Sequence, residues 1–136
     1  MAFGLKPQMK LTLALIFVFA LSQPAATRAR QRDCDEHAGR VYTSKEVDRK
    51  ARITRPSYPP FPEEAQQKGL RRGEVKLSLV FRPDGKVTDV GVVETSDESF
   101  TKASVEAAKR IRFEPAKKGG CPVAQSSVVI NNYNHR

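Results

Sequence analysis

Glu74-Val75-Lys76-Leu77-Ser78-Leu79-Val80-Phe81-Arg82-Pro83-Asp84-Gly85-Lys86-Val87 is the stretch on which the fold turns. Val75, Leu77, Leu79 and Phe81 alternate with Glu74, Lys76, Ser78, Val80 and Arg82, so an extended backbone here has one apolar face and one mostly wet face. Pro83 fixes φ and Gly85 tolerates positive φ. The chain is therefore expected to turn back and run along 87–95 as the second arm of an antiparallel hairpin.

The flanking segments supply what a hairpin needs to bury that face. On the C-terminal side, Ser96-Asp97-Glu98-Ser99 is a cluster of helix N-caps, and Phe100, Ala103, Ala107 and Ile111 then recur at spacings of three and four. This predicts an amphipathic helix over the hairpin, with Pro115 ending it. Gly119-Gly120 turns the chain, and 126–133 is expected to return as a strand centred on Val128, Val129 and Ile130. The last residues, 131–136, read as too polar to be buried. On the N-terminal side, Pro56, Pro59, Pro60 and Pro62 impose extended backbone. Glu63 and Glu64 suit the first turn of a short helix that Gly69 stops. Residues 30–55 form a polar lead-in whose Val41-Tyr42 pair and Val47 suffice for an edge strand and not for a core.

The start of the chain carries an address. Lys6 and Lys10 precede an apolar run of eleven residues, Leu11 to Leu21, and small and polar residues follow up to Ala29. This is the pattern of a secretory signal. As a helix the run is roughly 16 Å long at about 1.5 Å per residue, short against a hydrocarbon core of about 30 Å. Cleavage is expected after Ala20-Leu21-Ser22 or after Thr27-Arg28-Ala29, and an uncleaved anchor is the alternative. Export puts Cys34 and Cys121 in an oxidising compartment, where the two are expected to pair. In the chain-entropy model such a long loop is worth about 4 to 5 kcal/mol before strain is subtracted.

The net charge of +9 suggests nucleic acid until it is divided along the chain. Two positive charges sit in the signal, residues 23–55 hold nine basic and five acidic side chains, and 56–136 hold thirteen and ten. Those in the last segment are interleaved, with no basic run carrying the aromatic platforms that single-strand binders use, so no nucleic-acid partner is expected. Catalysis is not expected either. The two histidines, His37 and His135, sit in polar segments near the ends, and no Ser or Cys lies in a nucleophile motif. Two Cys and two His in unrelated segments show no metal-ligand spacing, so neither metal nor cofactor is expected.

Taken in order, the punctuation of the second half resembles the C-terminal domain of the TonB family. The marks are Phe61-Pro62-Glu63-Glu64-Ala65, then Gly69, Gly73 and Val75, then Asp84-Gly85-Lys86-Val87, then the helix, then Arg112-Phe113-Glu114-Pro115-Ala116 and Gly120-Cys121-Pro122-Val123. The resemblance covers residue 56 to the end and, more loosely, the strand near Val41. It departs in three places: an extra residue between Gly69 and Gly73, Ile111 where the family commonly has Trp, and no long Pro-rich spacer after the apolar run. On this basis residues 1–29 are assigned to the signal, 30–55 to the lead-in and 56–136 to the domain.

The resemblance implies an α+β, two-layer fold in which two helices pack on one face of a small antiparallel sheet. It implies a periplasmic module that binds an extended peptide from the N-terminus of an outer-membrane TonB-dependent transporter, or another periplasmic protein. The peptide would add as a strand beside Ser126, Ser127, Val128, Val129, Ile130, Asn131, Asn132 and Tyr133. A terminal strand leaves one row of N–H and C=O groups for an incoming chain. The alternatives are an edge blunted by Asn131, Asn132 and Asn134, or one paired in a homodimer, and, for the function, a secreted structural or dimerising module on the same scaffold with no transport role. Membrane contact is expected only if the N-terminal segment is retained.

Overall fold

The computed structural model describes residues 25–135. The apolar run of the expected signal, 11–21, lies outside them. Among the described residues no helix is long and apolar enough to cross a membrane. The chain divides into two units, one up to Glu36 and one from His37 onward. The described part of the first is helix α1 (Ala25–Asp35), which buries none of its residues. It was not anticipated from sequence. Its Ala, Arg and Gln content supplies helix propensity without an apolar stripe to signal it.

From His37 the elements run β1 (Val41–Tyr42), β2 (Arg52–Arg55), α2 (Glu63–Gln67), β3 (Arg72–Phe81), β4 (Val87–Thr95), a 3-10 turn (Glu98–Phe100), α3 (Thr101–Lys109), β5 (Arg112–Glu114), β6 (Ala116–Lys118) and β7 (Cys121–Asn134). The hairpin β3–β4 forms where the alternation places it. Arg82 N donates to Lys86 O, Gly85 N to Arg82 O, and Gly85 takes a φ of +86°. Val75, Leu77, Leu79 and Phe81 are buried on its inner face. The second arm alternates less cleanly because the register shifts twice, between Lys76 and Leu77 and again between Ser78 and Val80.

The main sheet has the order β1-β7-β3-β4, with β6 on the start of β7. β3 lies at its centre, antiparallel to β4 and to β7, whose register runs from Arg72 opposite Asn134 to Phe81 opposite Gln125. β1 adds at the side of β7 in parallel, Val41 opposite Ala124 and Tyr42 opposite Gln125. The expected edge strand is therefore present. Both helices cover one face, as the α+β expectation requires: Ala65 of α2, Phe100, and Ala108 of α3 join Val75, Leu77, Leu79 and Phe81 in one core. Gly73 has a steric reason for lacking a side chain, since a Cβ there would run into the Phe100 ring.

Three local expectations need correction. The second long helix ends at Lys109, where Arg110 N caps Ala107 O, and not at Pro115. Residues 112–114 are instead drawn into a small second sheet with β2, Ile53 opposite Phe113, reinforced by Arg52 Nη2 to Glu114 Oε1 at 2.8 Å. The last strand starts at Cys121 rather than at 126, because β6 folds back on it with Ala116 opposite Val123. The polar tail is also partly buried. The alternation of β7 turns Asn131 and Tyr133 inward, and the Tyr133 hydroxyl finds Ser104 Oγ at 2.6 Å and Phe100 O at 3.2 Å.

Candidate functional site

The candidate site is one side of β7. From Gln125 to Asn134 its other side is paired throughout with β3. β6 and β1 pair with it only up to Gln125. Among the described residues no strand covers the second side of 126–134, so the main-chain groups facing that way are open to a further strand. Eight residues were singled out from sequence, and the pleat sorts them. Ser126 and Ser127 are half-buried next to the end of β1, where Ser126 Oγ donates to Tyr42 O at 3.3 Å. Val128 and Ile130 project from the helix-free face, 57% and 49% exposed, opposite Ser78 and Lys76 of β3. Val129 and Tyr133 face the core, and Asn132 is exposed.

Asn131 differs from what its chemistry suggested. It does not blunt the edge: it is 9% exposed, and its amide nitrogen has no hydrogen-bond partner. A buried amide left unmade costs about 1 to 3 kcal/mol.

A wall that sequence reasoning missed stands beside this edge. Residues 53–59 face 129–132 across a groove of about 230 Å³, with Ile111 also in its lining. The prolines keep the wall extended. Its position follows from anchors upstream: Ile53 pairs with Phe113, and Ala51 N donates to the side-chain oxygen of buried Gln125 at 2.9 Å. Tyr58 stands at the rim, 83% exposed. The available signal was the run of prolines ahead of a helix, but nothing local says which strand such a run lies beside. Ile111 is buried, as an aliphatic floor should be. A second hollow, of about 520 Å³, lies among Thr43, Ser44, Ser78, Asp89 and Ser126.

Electrostatics are arranged away from the edge. Asp97 caps the 3-10 turn by accepting from Ser99 Oγ and Ser99 N, and these bonds, with Lys68, hold its carboxyl at about 2. The Arg52 guanidinium keeps Glu114 below the usual carboxylate range. Burial pushes the Tyr133 phenol up, against the opposing bond from Ser104. His37 Nδ1 lies 2.7 Å from the Tyr42 hydroxyl, and His135 meets the Phe61 ring edge-on at 5.0 Å. Among the described residues no group of three or more His, Cys, Asp or Glu is placed to hold a metal ion. Neither cysteine is free and both are disulfide-bonded; with only two in the sequence, the bond is Cys34–Cys121.

Comparison with known proteins adds to this geometry. Residues 57–134 match the family model of the Gram-negative bacterial TonB protein C-terminal. The solution NMR structure of the Pseudomonas aeruginosa TonB C-terminal domain is similar at 26% identity, covering 70% of this chain and 94% of that one, with a TM-score of 0.54. Weaker likenesses are the TonB2 protein of Vibrio anguillarum (23% identity, 65% and 85% covered, TM-score 0.47) and the Helicobacter pylori TonB C-terminal domain (26%, 57% and 70%, 0.39). No curated protein matches the sequence.

Proposed function

The chain belongs to the family of Gram-negative bacterial TonB protein C-terminal domains, and from that membership we propose that it is a periplasmic protein-interaction module that takes an extended peptide as an added strand. The ligand is the N-terminal peptide of an outer-membrane transporter, and the docking line is the open side of β7 along 126–133. One observation carries the reading: among the described residues no strand pairs with that side of β7 beyond Gln125, while β3 holds the other side along the whole segment. Strand addition draws its affinity from main-chain bonds and its selectivity from pockets for alternate side chains. The groove between 53–59 and 129–132 is the pocket at hand. The work is binding, not catalysis. The export address and the disulfide fit a periplasmic setting.

Backbone-methylated peptides test this without touching the fold. An added strand bonds to the edge through alternate residues only. Methylating the amides of one parity in a bound transporter N-terminal peptide is therefore expected to cost tenfold or more in affinity, with the other parity tolerated. Equal binding of both methylated forms and the parent peptide would sink strand addition. The homodimer shares the same edge, so sedimentation across a concentration series, with dissociation on adding peptide, identifies it.

A further inference from the structure

We propose that the groove beside β7 is a side-chain subsite selecting a neutral hydrogen-bond acceptor, a carboxamide such as that of glutamine, with Asn131 as the residue that reads it. This rests on strand addition at β7 and adds what the incoming strand must carry. Three observations converge. First, Asn131 lines the groove, is 9% exposed, and keeps an amide nitrogen without an acceptor. Among the polar side chains of that lining it alone has a buried atom without a partner. Second, the walls that would hold a stem are apolar: Ile53, Ile111, Val129 and the prolines at 56 and 59. Third, none of the described residues that line the groove is charged, so a carboxylate seated there loses its water without gaining a counter-charge from them.

Size and geometry agree with this. The volume, about 230 Å³, suits one mid-sized side chain and not a chain of them. Asn131 shares the inward face of β7 with Val129 and Tyr133, and a strand laid on the open edge points alternate side chains toward that face. Asn131 is among the residues that line the groove, and its amide turns about a soft terminal torsion. A site built around a buried polar group rejects an analogue lacking the matching atom more strongly than an apolar pocket rejects a missing methylene.

The test uses the full chain and short capped peptides that alternate threonine with glutamine, leucine or glutamate, so that every register of one parity presents the same side chain to the groove. The glutamine peptide is expected to bind at least about tenfold tighter than the leucine and glutamate peptides. In Asn131→Leu, with its melting curve retained, the preference for glutamine over leucine is expected to vanish or reverse. Leucine binding wild type as tightly as glutamine overturns the subsite, as does an unchanged ratio in Asn131→Leu. If these peptides bind with sensitivity to alternate backbone methylation but without glutamine preference, only the subsite falls. If none binds, strand addition falls with it.

Discussion

Gly73, Tyr133 and Asp97 show how single residues set this core. A methyl at Gly73 has nowhere to go but into the Phe100 ring, so Gly73→Ala overpacks the contact and is expected to cost about 1 to 3 kcal/mol in a urea titration. Loss of the Tyr133 hydroxyl strands Ser104 Oγ in the core. Tyr133→Phe should therefore lose about 1 to 3 kcal/mol by the same measurement, without change in backbone amide shifts at α2. Asp97 gives the pH dependence. Its folded value of about 2 lies below the ordinary 3.8, so its contribution to stability is complete above about pH 4 and is lost as pH falls toward 2. A carboxyl carbon titration that places Asp97 at its ordinary value contradicts the cap, as does stability that rises on acidification through that window.

Among the elements, the two faces of the central sheet make opposite predictions. Leu77 is fully buried and packs under the helices, whereas Val128, next to Leu77's partner Val129 on β7, faces solvent. Leu77→Ala is expected to destabilise by about 2 to 5 kcal/mol and Val128→Ala by under about 0.5 kcal/mol, both read by chemical denaturation. This asymmetry was legible in the alternation of Val75, Leu77, Leu79 and Phe81, as were the turn at Asp84-Gly85 and both helices of the core. The small sheet of β2 and β5 was not legible, because Arg52 and Arg55 carry no apolar pattern and their partners lie some sixty residues on, at Arg112 and Glu114. Sequence periodicity reports which face of an element is buried; it does not report which distant element covers it. The same limit hid Asn131. Its polarity argued for the surface, while its place two residues after Val129 in an unbroken strand argued for the core, and the pairing with β3 decided for the core.

At the scale of the whole molecule, membership of the TonB C-terminal family rests on spaced punctuation that sequence displays openly, and the proposed site rests on a topological feature that it does not. A terminal strand could have been closed by a partner strand; among the described residues β6 stops at Val123 and β1 at Gln125 instead. The Cys34–Cys121 bond is the other long-range constraint. Its reduction is expected to lower the unfolding free energy by about 4 to 5 kcal/mol at most, seen as a shifted denaturation midpoint with the reductant present. The most direct measurement of the central claim is amide hydrogen exchange along β7 and β4, with and without a bound transporter N-terminal peptide. The account predicts added protection at alternate amides within 126–134 and none along 87–95. Protection of β4 alone, or binding with no change in either strand, would contradict it.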